Sequence, residues 1–315
     1  MRWGSSRIEF VRPVLWCVLL FGKSFIDTTI LGVKSGAVTY GHRFHHSASL
    51  AIATPSSYED LLESRGFVIA DFNKRKEIIR EQVLEIAKSR QGTAIIDENL
   101  LDEVTGLVEF PVALSGEFDK EFLEVPPEAL ILAMKSHQKY FHLVDESGNL
   151  MPCFISVSNI KSSDPSQVVA GNEKVIRPRL ADARFFYESD LKTPLAAKIE
   201  KLKTIIFQAQ LGTVYDKTER VSRLTVYMAD QFDGDIPSCK RAASLAKCDL
   251  LTDMVGEFAD LQGLMGYYYA LKDGESNEVA SAIVEQYLPR YAGDALPKTL
   301  TGNIVSLAEK IDTIA

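Results

Sequence analysis

Hydrophobic positions along this chain follow two rhythms, and the change between them falls near the middle. In the first half, strand and helix patterns are mixed. Phe25–Val33 is rich in Ile, Thr and Val between Gly22 and Gly36, which predicts a strand. Asp71 or Asn73 can cap a helix running to about Lys88, because Ile79, Val83 and Ile86 fall on one stripe. Asp97 can cap a second, shorter helix with Leu100, Leu101 and Val104 facing inward. Tyr140–Asp145, the turn Glu146–Asn149 and Leu150–Val157 read as a hairpin. Strands and helices in irregular order, with an antiparallel pair among them, predict an α+β fold.

After Ser162-Ser163-Asp164-Pro165 the spacing becomes helical almost throughout. Helices are expected near 194–210, 213–232, 239–258, 276–288 and 301–315, with breaks at Gly212, Gly234, Pro237, Gly274 and the Pro289–Pro297 loop. The expected organisation is a mixed domain over 1–165, a basic connecting segment over 166–194 and an all-α domain over 195–315. Pro178 disfavours helix at Arg177, so the backbone there is expected to extend and project Arg177 and Arg179 outward.

Composition sets bounds on this picture. A chain of 315 residues suits about two domains, and 46% hydrophobic with 25% charged residues is ordinary for a globular protein. Cys17, Cys153, Cys239 and Cys248 lie far apart with no C-x-x-C pair, which fits a reducing compartment and gives no zinc framework. The run Val14–Gly22, with Arg2, Arg7 and Arg12 before it, superficially imitates a signal peptide. It is too short to span a bilayer, Glu9 interrupts the basic region and no A-x-A-like cleavage site follows. A buried strand or helix is expected there instead, and a cytoplasmic location for the chain.

Charge singles out one stretch. Residues 172–223 hold 11 Lys and Arg against 7 Asp and Glu, a local +4 in a chain of formal net charge −8. An island of this sign suits a polyanion, since Lys and Arg contacts to phosphate dominate nucleic-acid affinity. Solvated helix faces laced with i,i+4 pairs, such as Arg184 with Glu188 and Asp216 with Arg220, explain the same charge count.

The wording of that stretch carries a resemblance. RPRLADARFFYESD followed by KLKTIIFQAQLGTVYDKTERV is similar to the beta subunit family of bacterial-type heterotetrameric glycyl-tRNA synthetases. MRWG at Met1–Gly4, TYGHRF at Thr39–Phe44, DFNKRKEIIREQ at Asp71–Gln82, VPPEALILAMKSHQKYF at Val125–Phe141, DLLTDMVGEFADLQGLMGYYYA at Asp249–Ala270 and LAEKIDT at Leu307–Thr313 resemble it in order. The resemblance implies an editing-type module like that of the phenylalanyl-tRNA synthetase beta chain, then an HD-like helical domain. It also implies a noncatalytic tRNA-binding role, with ATP and Mg at an alpha subunit, tRNA(Gly) as RNA partner and an alpha2-beta2 assembly. Family members extend beyond MRWG and carry a C-terminal anticodon-binding module. The chain is therefore expected to be part of a longer one, its last helix leaving Ile304, Leu307 and Ile311 uncovered.

The residues can be weighed directly against these implications. An HD metal site needs imidazoles beside carboxylates, yet Cys248-Asp249 and Asp312 are the nearest candidates and no histidine follows His142. His42, His45 and His46 lie close together in GHRFHH, but no second ligand cluster has metal spacing, so surface or RNA-facing use of His42 and Arg43 is expected. His137, at a helix C-terminus, suits a structural role. There is no phosphate loop, no G-x-G-x-x-G, and neither HIGH nor KMSKS; Arg184 and Glu188 echo the class II ATP-binding pair only at ion-pair spacing. The expected phosphate contacts are Arg177, Arg179, Arg184, Lys201, Lys203, Lys217 and Arg220, with no catalytic or metal residue. A metal-dependent HD phosphohydrolase and a protein-interaction scaffold without RNA contact are the competing readings.

Overall fold

A computed structural model describes residues 1–5 and 7–315. The chain forms two compact units, one from Met1–Asp119 with Met134–Ile176 and the other from Lys120–Ala133 with Arg177–Ala315. Mixed helix and sheet in the first unit and helices in the second make the chain α+β.

The first unit is organised around an antiparallel sheet. Its strands are β1 (Thr93–Ala94), β2 (Val112–Glu117), β3 (Phe141–Val144) and β4 (Leu150–Ser158), in the order β1-β3-β4-β2. The β3–β4 turn is held by Asp145, which accepts hydrogen bonds from the amides of Ser147 and Asn149, while Gly148 takes φ 82°. Helix α1 (Phe72–Ser89) begins where the Asp71 carboxylate accepts the Lys74 N–H, and α2 (Glu98–Leu107) begins where Asp97 accepts the Leu100 N–H. Ile79 and Val83 of α1 and Leu101 and Val104 of α2 form one buried core with Phe141, Leu143 and Ile155 of the sheet. Each such side chain contributes about 1.5–3 kcal/mol by leaving water.

Strand β2 lies at the sheet edge, and its free side is covered by side chains. Phe118 N–H bonds Pro152 O across to β4, so the amides of residues 113 and 117 point away from the sheet. The Gln82 amide donates to Pro111 O and accepts the Ala113 N–H, as a neighbouring peptide group would. The Glu173 carboxylate accepts the Glu117 N–H.

Three expectations for this unit are corrected. The apolar run at Val14–Gly22 is not a buried element: it holds two-residue strands at Cys17–Val18 and Leu20–Phe21, with Leu15 76% and Phe21 81% exposed. Ladders of two residues present no extended face for a core layer to cover. The strand expected over Phe25–Val33 is broken, because Leu31 and Gly32 both take positive φ and turn Thr29–Ile30 back onto Val33–Gly36. The helix α3 (Pro165–Asp190) runs through Pro178 without the expected extension. The proline removes one helical N–H, but Ile176, Leu180, Ala183 and Tyr187 form a buried stripe along the helix, and that burial outweighs the lost bond.

In the second unit, capped helices follow one another. Thr213 and Asp216 form a reciprocal capping box at the start of α4 (Val214–Gln231), and Asp235 caps α5 (Ile236–Leu245). They are followed by α6 (Asp253–Glu257), α7 (Leu264–Lys272), α8 (Asn277–Glu285) and α9 (Leu300–Ile314). The helix expected over 239–258 is divided, because Cys248–Leu251 tightens into a 3₁₀ turn and Thr252 then caps α6. The expected 194–210 helix is instead two 3₁₀ turns, Leu195–Lys198 and Glu200–Thr204, and a small hairpin pairing Ile206–Gln208 with Gly212–Thr213. The β-branched Ile205-Ile206 pair and Gly212 at φ 87° favour strand and turn over helix. Val221, Met228, Ala229, Cys239, Ile304 and Ala308 form a core cluster. Ile304 is thus buried, while Leu307 and Ile311 are exposed as expected.

Candidate nucleic-acid interface

The basic stretch presents its cations in two different ways. Arg177, Arg179 and Lys201 are exposed, and Arg179 and Lys201 carry no ion pair among the described residues. Arg184, Lys203, Lys217 and Arg220 are engaged by carboxylates. Arg184 bridges Glu188 at 2.7 Å and Glu121 at 2.8 Å, and hydrogen bonds to both raise its already high pKa. Lys203 pairs with Glu200 at 2.5 Å, which raises its pKa, and sits 4.4 Å above the Tyr215 ring. Lys217 is only 3% exposed; its Nζ lies 3.0 Å from Asp312, 2.8 Å from the Thr313 hydroxyl and 4.7 Å from the Phe207 ring centroid. Arg220 donates to both oxygens of Asp312, at 2.7 and 3.2 Å, and to Leu211 O.

Lys217 and Arg220 belong to a longer chain of charges. Lys217 also reaches Glu309 at 3.5 Å, and Lys247 reaches the same carboxylate at 3.2 Å. Alternating cations and carboxylates therefore run Lys247, Glu309, Lys217, Asp312, Arg220, tying α4 and the turn after α5 to α9. Burial alone would raise the Asp312 carboxyl, but hydrogen bonds from Arg220 and Lys217 outweigh it and hold the pKa below the usual value. Burial pushes the Lys247 ammonium down despite Glu309. Local charge patterning does not reveal Lys247 in this network, since its partner Glu309 lies 62 residues away.

The nearest HD-type candidates do not assemble a metal site. The Cys248 thiol is buried, faces Ser244 O and is pushed up to about 12 by desolvation, so it stays protonated. Asp249 is fully buried, and desolvation raises it to about 6 although its Oδ2 accepts the Gly263 N–H. Its Oδ1 has no partner among the described residues. Asp312 is already occupied by Lys217 and Arg220. Among the described residues, no group of three His, Cys, Asp or Glu side chains is placed to hold a metal ion.

Asp190, at the end of α3, is another buried carboxylate. It accepts the N–H groups of Asp253 and Met254, the first turn of α6, and the Tyr269 hydroxyl. Its place is structural: it satisfies amides that a helix start leaves open.

In the first unit the histidine loop differs from expectation. His42 is 1% exposed, so its imidazole is not a surface group. Its Nδ1 accepts the Phe44 N–H, and its ring lies tilted against His45 with centroids 4.7 Å apart. His45 Nε2 in turn accepts the Lys161 N–H. The loop folds inward because aromatic contacts with Phe67 and Phe110 cover the imidazoles; Arg43 remains exposed beside them.

These features define a two-unit α+β protein whose helical unit carries exposed and scaffold-bound cations but no metal cluster among the described residues. The sequence profile described as "Glycyl-tRNA synthetase beta subunit" matches residues 1–315, and the chain belongs to that family. Relatives named glycine–tRNA ligase beta subunit include those of Hahella chejuensis, 57% identical over 314 residues, and Marinobacter nauticus, 55% identical over 315 residues. The alignments cover all of this chain and 45% and 46% of the relatives, so the chain spans about half their length. No helix among the described residues is long and apolar enough to cross a membrane.

Proposed function

We propose that this polypeptide is the tRNA-handling part of a glycyl-tRNA synthetase beta subunit, acting with an alpha subunit that binds ATP and Mg and forms the aminoacyl bond. Family membership over the full chain is the observation that carries this reading, and the exposed cations of the second unit support it. The polypeptide's contribution is positioning, since holding a tRNA end beside an activated amino acid replaces a bimolecular encounter with an oriented one. Arg179 and Lys201 are the best placed for phosphate contact; Arg177 is exposed in the same unit, and Arg43 is an exposed cation of the first unit. Arg184, Lys203, Lys217 and Arg220 reach phosphate only by giving up carboxylates they already hold. For Lys217 and Arg220 the scaffold role dominates.

The four-stranded sheet with its two helices is read as the editing-type module, and the second unit as a degenerate HD-like domain whose carboxylates are neutralised by lysine instead of metal. An alpha2-beta2 assembly in the cytoplasm completes the proposal. A filter-binding titration of tRNA(Gly) at two salt concentrations, with and without an alpha subunit, tests it. Salt-sensitive retention that Arg177→Glu with Arg179→Glu weakens is the expected result. Retention unchanged by those substitutions, but alpha-subunit association lost, would assign the surface to the protein partner instead.

A further inference from the structure

The first unit contains a half-open pocket of about 320 Å³ that the tRNA-positioning role does not use. One wall is apolar, formed by Val104, Leu107 and Val108 near the end of α2 with Val157 and Val168. The lining also holds a connected polar array. The Tyr140 hydroxyl donates to Asn172 Oδ1 at 3.2 Å, and Asn172 Nδ2 donates to Ser156 Oγ at 2.9 Å. Tyr140 and Ser156 are buried, which fixes the array in place.

The sequence builds this array deliberately. Phe154 stands opposite Gly116 across the β2–β4 pair, and a Cβ at residue 116 would lie 2.5 Å from the Phe154 ring. Glycine lets that ring lie over the neighbouring strand, where it stacks on Tyr140 with centroids 4.5 Å apart and planes 11° from parallel. Lys139, at the rim, takes φ 60°, a left-handed conformation that a lysine holds only when its surroundings impose it.

We propose that this pocket binds an adenine nucleoside or nucleotide. A side-chain amide has two N–H donors and two acceptor lone pairs. Tyr140 and Ser156 use one of each, so Asn172 retains one donor and one acceptor on the same amide. Adenine presents the complementary pair at N6 and N7, whereas guanine presents two acceptors at the corresponding edge. The flat bicyclic ring suits the apolar part of the lining. No carboxylate is among the residues that line the pocket; the Lys139 ammonium at the rim is paired with Glu103 at 2.9 Å, so a phosphate there would share or displace that carboxylate. Free adenine nucleotides and a 3′-terminal adenosine of an RNA share this chemistry.

Calorimetric titration of the 315-residue chain with adenosine and AMP, against guanosine and cytidine, tests the site independently of any RNA contact elsewhere. Saturable adenosine binding, weakened about tenfold or more by Asn172→Ala, is expected. Leu107→Trp, at an exposed rim position, plugs the pocket without disturbing the core and should give a similar loss if Asn172→Ala impairs folding. Competition by an RNA ending in A, lost when that residue is changed to C, assigns the site to an RNA end; competition by AMP alone assigns it to free nucleotide. No saturable adenosine binding, or equal binding in the Leu107→Trp variant, overturns the proposal.

Discussion

Replacing Asp312 by alanine removes the shared acceptor of the buried charge chain in the second unit. Three charge-assisted contacts end on its carboxylate, two from Arg220 and one from Lys217. Part of the loss is recovered, because the Arg220 side chain is about one-third exposed and can return to water, while Lys217 keeps Thr313 and Glu309. Lys217 itself stays buried with weaker compensation. Breaking a buried pair typically costs about 3–5 kcal/mol, and the remaining partners place this case near the lower end, about 3 kcal/mol. In urea, with a slope of roughly 1–3 kcal/mol per molar, the midpoint should fall by about 1–3 M at unchanged slope. The pH dependence has a defined sign. The Asp312 pKa is lowered in the folded state, so its contribution is present above the unfolded carboxylate value near ~4 and drains as pH falls through the folded value. A loss under about 1 kcal/mol would place the network with exposed ion pairs and refute the scaffold role. Lys217→Met combined with Asp312→Leu should restore most of the stability, because apolar replacement of a buried pair is often near neutral.

Other perturbations test separate parts of the fold. Asp249→Asn should stabilise the protein increasingly as pH rises from about 4 to 7: the buried carboxyl titrates at about 6, so the wild type loses about 3 kcal/mol relative to an unfolded chain titrating near ~4, and denaturant midpoints across pH would show a flatter profile in the variant. Gly116→Ala forces the Phe154 ring aside and should cost about 1–3 kcal/mol, read by thermal melting together with loss of the Tyr140–Phe154 stack in near-ultraviolet dichroism. Gln82→Ala strips the amide that covers Pro111 O and Ala113 N–H; a loss of about 1–3 kcal/mol and concentration-dependent light scattering are expected from the opened strand edge.

Local chemistry made much of this fold legible in the sequence. Asp71 and Asp97 cap the helices expected of them because capping needs only one side chain and the amide three residues on. The β3–β4 hairpin was readable for the same reason, with Asp145 and Gly148 setting its turn. What escaped depended on distant partners. Pro178 looked like a break because the buried stripe that holds α3 together is a tertiary fact. Lys217 counted as an available cation because Asp312, 95 residues later, is invisible to local charge patterning. His42 is buried by a loop that Phe67 and Phe110 cover, and neither residue is near it in sequence. The same limit applies to the candidate interface: the sequence showed where cations are concentrated, but not which of them are already paired.

Binding of tRNA(Gly) as a function of salt, compared between the wild type and an Arg179→Glu, Lys201→Glu variant, addresses the cationic surface most directly. Each lost phosphate contact should reduce the slope of log affinity against log salt by about 1, so the variant should lose about 2. The Lys217→Met, Asp312→Leu variant should keep the wild-type slope. An unchanged slope in the charge-reversed protein, with folding intact, would contradict the assignment of this surface to RNA.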